Sequence, residues 1–463
     1  MLPGCETGTD RINTAKPLQA ALSWQILLLA LPMLGEQVVN FLVGFVDVYL
    51  AGTLSKDATA AVGTGAYVGW FVTLGFFLVS TGAAALVSRA VGARDEAQAG
   101  RLLNQAMLMA LIVGVLVAAG AWGCAPFFAH TLTRTATAEV MCRDFLRIDS
   151  FGYILASLTL VGGAAVRAAG DTRTPMLVMT LVSAVNAGLS SGLVFGWFGP
   201  RLGVYGIAIG TVAARSLGGL LMAVVLLRGL GALRIERRLL RPDWLTIARM
   251  LRIGLPAAAD AAVMAVAQLA FVAIIARTAA GDAGTANYAA HMIAMRMEAI
   301  SYLPALAWAT AGATLVGQAL GARDPRRAAR AGHLAAIQGA ALTTAVGVGF
   351  YLLAEPIYRM MSDDPAVIAV GAPAFRLIAF AQPVLGAAIV YIGVLRGAGD
   401  TRATLVFSLI GGLALRVPGA WLGGIALGGG LIGAWCGMWS DNVAKLLLGG
   451  GRFLQGGWKR LRL

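Results

Sequence analysis

The chain carries one stretch of sequence twice. Residues 86–101 read LVSRAVGARDEAQAGR and residues 315–330 read LVGQALGARDPRRAAR, identical at nine of sixteen positions and 229 residues apart. The same shift carries R-A-A-G-D-T-R (Arg167 to Arg173) onto R-G-A-G-D-T-R (Arg396 to Arg402), with six of seven identical. Two motifs at one offset divide the chain into two homologous halves, and whatever one half folds into, the other must fold into as well.

The halves are too apolar for a soluble fold. Hydrophobic residues make up 59% of the 463 and charged residues 13%, with a mean hydropathy of +0.78, where a soluble domain carries about 25% charge. The 60 glycines suit closely packed membrane helices. Apolar runs predict twelve spans, over 24–50, 58–88, 102–125, 145–168, 174–198, 203–229, 249–277, 285–318, 332–354, 371–396, 402–424 and 428–450. The expected fold is an all-α polytopic membrane protein of twelve transmembrane helices in two homologous six-helix lobes. An N-lobe occupies 1–228 and a C-lobe 249–450. A basic cytoplasmic connector over 229–248 joins them, and a basic cytoplasmic tail covers 451–463. No cleavable signal peptide is evident: the first apolar run, from Trp24, is long and follows Arg11 and Lys16, and reads as a retained helix.

Charge sets the orientation. With the N-terminus in the cytoplasm, 24 Lys and Arg fall on the cytoplasmic side. Eight fall opposite: Lys56, Arg134, Arg143, Arg147, Arg201, Arg277, Arg359 and Arg376. Seven of the 24 lie between Arg228 and Arg252, where the halves join. Both termini are therefore expected inside. The net charge of +14 reads as topology and attraction to anionic lipid, not nucleic-acid binding. Six helices per half make the repeats parallel, and a cavity between two such lobes can open to either side by rocking.

These residues resemble the multidrug and toxic compound extrusion (MATE) transporters. The resemblance rests on L-P-M…N-F-L-V-G-F-V-D-V-Y-L-A-G in the first span, A-T-A-A-V-G at Ala58 to Gly63 and G-L-P at Gly254 to Pro256. It rests equally on L-V-G-Q-A-L-G-A-R-D and L-R-G-A-G-D-T-R, and it covers roughly residues 20–450. The chain looks most similar to the DinF-like (DNA-damage-inducible protein F) branch. The resemblance implies a secondary active multidrug exporter, a cation-coupled antiporter of amphipathic and often cationic compounds, in the bacterial inner membrane. A monomer is expected, with no cofactor and no enzymatic activity.

An ionisable residue inside a membrane span is a functional candidate by default. Gln37, Asn40, Gly44 and Asp47 recur at i, i+3, i+7 and i+10 and share one face of the first span. From the residues alone, Asp47 is a cavity carboxylate or an interfacial residue near the outer helix end. The resemblance places the family's aspartate here. It also implies Asn186 and Ser190, one turn apart, as ion-coupling neighbours, with Thr211 beside them. Ser190 stands where relatives carry Asn or Asp, so a second carboxylate is absent from this cluster.

The second half departs from the sodium-coupled branch of the resemblance. The expected acids fall near Met264 and near Val384, beside Gln382 and Pro383, and neither is present. Asp260, four residues after Pro256, reads as a substitute carboxylate or as an ion-pair member. Gln37, Asn40, Thr211, Asp260, Met264, Gln268 and Met292 form the candidate substrate cavity, since soft methionines suit varied amphipathic compounds. Arg296 and Glu298 are expected to pair with other groups. Arg215, Arg416, Asp441 and Lys445 are expected near helix ends, snorkelling to headgroups. The G-A-R-D and G-D-T-R copies read as loop clamps.

The four cysteines (Cys5, Cys124, Cys142, Cys436) and three histidines (His130, His291, His333) form no metal or redox pattern, and no nucleotide-binding motif is present. Energy is therefore expected from an ion gradient. Protons are favoured over sodium, because a single carboxylate among neutral groups suffices to bind and release a proton. The alternatives are a lipid-linked saccharide flippase of the same superfamily, which would favour a strongly cationic cavity, and a membrane enzyme, which would need clustered catalytic groups.

Overall fold

A computed structural model describes residues 9–463 apart from Arg134, Phe198 and Arg462, with side chains from Ala21 onward. Cys5, Arg134 and the side chains of Arg11 and Lys16 lie outside the described residues. The first half forms α1 (Thr9–Leu54), α2 (Lys56–Gly92), α3 (Glu96–Leu132), α4 (Ala136–Ala168), α5 (Arg173–Phe195) and α6 (Val204–Arg228). The second forms α7 (Trp244–Ile275), α8 (Gly281–Gly321), α9 (Pro325–Met361), α10 (Pro365–Gly397), α11 (Thr401–Ala426) and α12 (Gly430–Gln455). Eleven are long and apolar enough to cross a membrane. The remaining one, α12, carries the buried charges Asp441 and Lys445. Among the described residues there is no β-strand.

All twelve expected spans appear as helices, and most outrun the apolar runs that announced them. Their polar ends stay helical because capping residues terminate them instead. Ser55, Asp95, Thr135, Asp243, Asp324 and Asp364 each accept a backbone N–H from the first turn that follows. In α11 the helix widens to π-type turns over Leu409–Arg416 and Leu422–Ala426. Such turns re-aim side chains and mark functional segments.

The duplicated G-A-R-D motif makes the same turn twice. Arg94 and Arg323 both take a left-handed φ of +58°, and the aspartates after them cap the next helix, Asp95 on the N–H of Gln98 and Asp324 on that of Arg327. The G-D-T-R copies diverge. Asp171 accepts from the N–H groups of Arg173 and Thr174, whereas Asp400 pairs with Arg452 at 2.8 Å.

The helix ends beside this motif meet across the two halves. A Cβ on Gly92 of α2 would lie 1.9 Å from the carbonyl oxygen of Gln318 on α8, and one on Gly321 would lie 2.0 Å from that of Arg89. Gly317 sits against the Ser88 side chain. Residues 88, 89 and 92 map onto 317, 318 and 321 under the 229-residue shift, so the contact is symmetric. The side chains at the middle positions complete it. Gln318 donates to the Ala168 carbonyl at 3.0 Å and Arg89 to the Ala398 and Leu461 carbonyls at 2.8 Å, each crossing to the other half. The halves are thus closed on each other at the end where the connector lies.

Each half also lends a helix start to the other. Leu22, Ile26, Ala30 and Met33 of α1 belong to a buried cluster with α8, α9 and α10, while Ile247, Met250 and Ile253 of α7 sit in a cluster with α2, α3 and α4. The sequence boundary at the connector is therefore crossed in space by both leading helices. The connector itself is fixed to α3. Asn104 bonds the Arg234 carbonyl and the Glu236 N–H; Gln105 bonds the carbonyls of Leu239 and Arg241 and the N–H of Asp243. Gln105→Ala strands three backbone groups and is expected to cost about 2 kcal/mol. The measurement is the thermal unfolding midpoint in detergent, and an unchanged midpoint would show that these bonds do not hold the connector.

Candidate functional site

Between the halves lies a cavity of about 650 Å³, the size of a drug-like ligand. The first half contributes α2, with Phe76, Phe77 and Ser80, and the connector end of α4, with Arg167. The second contributes Met264 and Gln268 of α7 and Met295, Glu298 and Tyr302 of α8, together with parts of α10, α11 and α12. Aromatic, aliphatic and methionine side chains dominate, and the charges are few and specific.

Four of those charges are cations, each tied to a carboxylate that does not itself line the cavity. Arg167 pairs with Glu36 of α1 at 3.0 Å. Arg396 of α10 pairs with the fully buried Asp260 at 2.6 Å and lies 5.5 Å over the Phe77 ring. Arg416 and Lys445 share the fully buried Asp441, at 3.0 and 2.8 Å. Arg416 also donates to Gln268 at 2.9 Å, and the Lys445 ammonium rests on the Met264 sulfur at 2.9 Å. The fifth lining charge is Glu298, 9% exposed, with no ion pair among the described residues.

These positions correct part of the sequence expectation. Arg416, Asp441 and Lys445 do not snorkel from helix ends; their side chains are at most 8% exposed and form one triad on the cavity wall. The π-type turn of α11 ends at Arg416 and turns it inward. Arg215 is likewise committed inside, to Asp149 of α4 at 2.7 Å. Glu298 is unpaired where pairing was expected, and Arg296 lies 5.7 Å over the Phe45 ring.

A second polar cluster occupies the first half, toward the end opposite the connector. Asp47 of α1 is within electrostatic reach of Arg215 and Asp149, and its Oδ1 is buried without a hydrogen-bond donor among the described residues. Asp149 is held by Arg215 and by the Tyr153 hydroxyl. On α5, Asn186 donates to Thr211 of α6 at 3.1 Å, and its own Oδ1 is buried without a donor. Ser190 is fully buried and donates to the Ile207 carbonyl at 3.5 Å.

Of the candidate cavity residues, Met264 and Gln268 line the central cavity. Asp260 stands behind it, and Thr211 belongs to the first-half cluster. Gln37, Asn40 and Met292 do not line it; Asn40 is exposed and Gln37 and Met292 are half-buried. Glu36, Asp149 and Glu298 went unrecognised as members of these clusters. The signal for Asp149 was an acid inside a predicted span, one turn before Tyr153.

Comparison with known proteins places this geometry. The profile of the MatE family matches residues 32–191 and again residues 256–422, one range in each half. The chain belongs to the MatE family. Among MatE relatives, a protein of Thermotoga maritima described as a probable multidrug resistance protein NorM is 30% identical over 438 residues, covering 94% of this chain and 93% of that protein. The multidrug resistance protein PmpM of Pseudomonas aeruginosa is 29% identical over 408 residues, covering 85% and 82%. A solved MOP superfamily transporter from Pyrococcus furiosus superposes with a TM-score of 0.86 at 22% identity, over 94% of this chain and 95% of that one. An outward-facing multidrug resistance MATE family transporter superposes at 0.85, again at 22% identity and over 94% and 95%. The MatE fold of this multi-pass membrane protein is thereby fixed, and both polar clusters are features of its own residues.

Proposed function

We propose that this protein is a secondary active multidrug exporter that exchanges amphipathic compounds for protons by alternating access. The observation that carries the reading is a drug-sized cavity between two related halves whose connector ends are closed on each other. The names of the NorM and PmpM relatives support multidrug efflux. With the termini and connector in the cytoplasm of a bacterial inner membrane, the closed end faces inward. The cavity then gives access to the outside, as a released substrate requires.

Asp47 is the proposed coupling group, with Asn186, Ser190 and Thr211 as its proposed neighbours. Asp149 is already committed to Arg215, so Asp47 is the carboxylate of this cluster free to exchange a proton. Sodium needs several hard oxygens with compensating negative charge, and the charged groups within reach of Asp47, Arg215 and Asp149, are already paired with each other. Protonation of Asp47 rearranges the first half and releases substrate.

The test is dye efflux from proteoliposomes under a pH gradient alone and then a sodium gradient alone. Efflux driven by the pH gradient is expected; efflux driven only by sodium would refute proton coupling. The flippase reading draws support from Arg167, Arg396, Arg416 and Lys445 on the cavity wall. Lipid-linked saccharide translocation without dye export would decide in its favour.

A further inference from the structure

The cavity charges are ordered in space. Arg167, Arg396, Arg416 and Lys445 line the cavity, while Glu36, Asp260 and Asp441 stand behind them. Three ion pairs therefore point their positive ends inward, out of walls that are mostly apolar. The third pair is also unequal, because Arg416 and Lys445 share one carboxylate. The Nε groups of Arg396 and Arg416 are buried without an acceptor among the described residues. Against this set stands one lining carboxylate, Glu298.

We propose that this cavity selects amphiphiles with an anionic head group, a carboxylate, sulfonate or phosphate monoester, held at the Arg416–Lys445 wall with the apolar tail along α2 and α8. A buried donor without an acceptor is costly, and an anionic oxygen supplies charge-assisted bonds that a neutral or cationic head cannot. Arg416 and Lys445 also have one more positive charge than Asp441 balances. The Met264 and Met295 side chains and the Phe76 and Phe77 rings accept tails of varied shape. The inference deepens the transport reading of the same cavity and reverses the head-group charge expected from the sequence.

The experiment is equilibrium binding to the full-length protein in phosphatidylcholine nanodiscs. The probes are 11-(dansylamino)undecanoic acid, its primary amide, and the equivalent chain ending in an amine. Wild-type protein is expected to bind the acid at least tenfold more tightly than the amide, and the amine most weakly. Lys445→Gln or Arg416→Gln leaves a one-to-one pair on Asp441, so each should fold; each is expected to erase most of the preference for the acid over the amide. Glu298→Gln removes the opposing charge and is expected to tighten acid binding at least threefold. Equal or tighter binding of the amine by wild type would overturn the proposal, as would unaltered preference in both cation variants.

Lysophosphatidylglycerol as competitor separates two sources of the same head chemistry. Displacement together with anion preference points to a lipid head, and anion preference without displacement to a free organic acid. Failure of the transport reading stays distinguishable. A protein that prefers the acid yet exports no dye leaves this inference standing, and one that exports dyes but prefers the amine removes it.

Discussion

Asp47→Asn is expected to reduce gradient-driven efflux to the leak of empty liposomes while leaving expression and thermal stability near wild type. The substitution keeps the shape of the side chain and removes its ability to carry and release a proton. It costs the fold little, because Oδ1 of Asp47 has no hydrogen-bond donor to lose. Asp260→Asn is the informative contrast. It leaves Arg396 without its counter-ion in a buried pair, a change expected to cost about 3 kcal/mol of stability. The protein that remains folded should still respond to the pH gradient. Efflux at wild-type rate in Asp47→Asn would remove Asp47 from the coupling step. A larger loss of gradient response in Asp260→Asn would move that step to the second half.

Gly92→Val should prevent closure at the connector end, and Gly321→Val should do so equally. A Cβ at either position would fall about 2 Å from a backbone carbonyl of the opposite helix. Backbone cannot swing aside as a side chain can, so α2 and α8 must separate. Overpacking of this kind costs about 3 kcal/mol, which shifts the balance between closed and open forms about a hundredfold. Transport requires both forms, so turnover is expected to fall by a similar factor in either variant. A cysteine placed at Thr310, on the cavity wall, should meanwhile become reactive to an impermeant thiol reagent from the connector side. Unchanged turnover and a protected cysteine would show that this crossing is not where the protein closes.

The twelve helices were legible because apolar length is a local property, and the repeat because identity at a fixed offset needs no structure. Asp47 was visible as an ionisable residue inside the first span, but Asn40 on the same helix face is exposed and Gln37 half-buried, so the face they share does not line the central cavity. The Asn186–Thr211 contact was legible from spacing and the family resemblance. The charged wall of the central cavity was not, and its ion pairs explain why. Arg167 reaches Glu36 across 131 residues and Arg396 reaches Asp260 across 136. No periodicity within a helix predicts which distant charge it will meet. Arg416, Asp441 and Lys445 were misplaced for a related reason. Charges flanking short apolar runs look like helix ends, and the π-type turns that carry Arg416 inward leave no mark in local propensity. Glu298 was visible as an acid in a span, but whether it would be paired depended on the six other helices that line the cavity.

The crossing of α2 and α8 has one more consequence. Position 92 of the first half touches position 318, and position 89 touches position 321, so residue i meets j and j meets i under the 229-residue shift. That reciprocity defines an isologous interface, the kind two identical subunits form across a two-fold axis. The axis passes near Ser88 and Gly317, which face each other from equivalent positions. The two sides are no longer interchangeable, because a Cβ on Gly317 would fall 2.0 Å from the Ser88 hydroxyl, so the contact needs glycine on one side of the axis. The crossing is a homodimer interface kept inside one polypeptide, where the connector holds the two halves at a permanently high effective concentration.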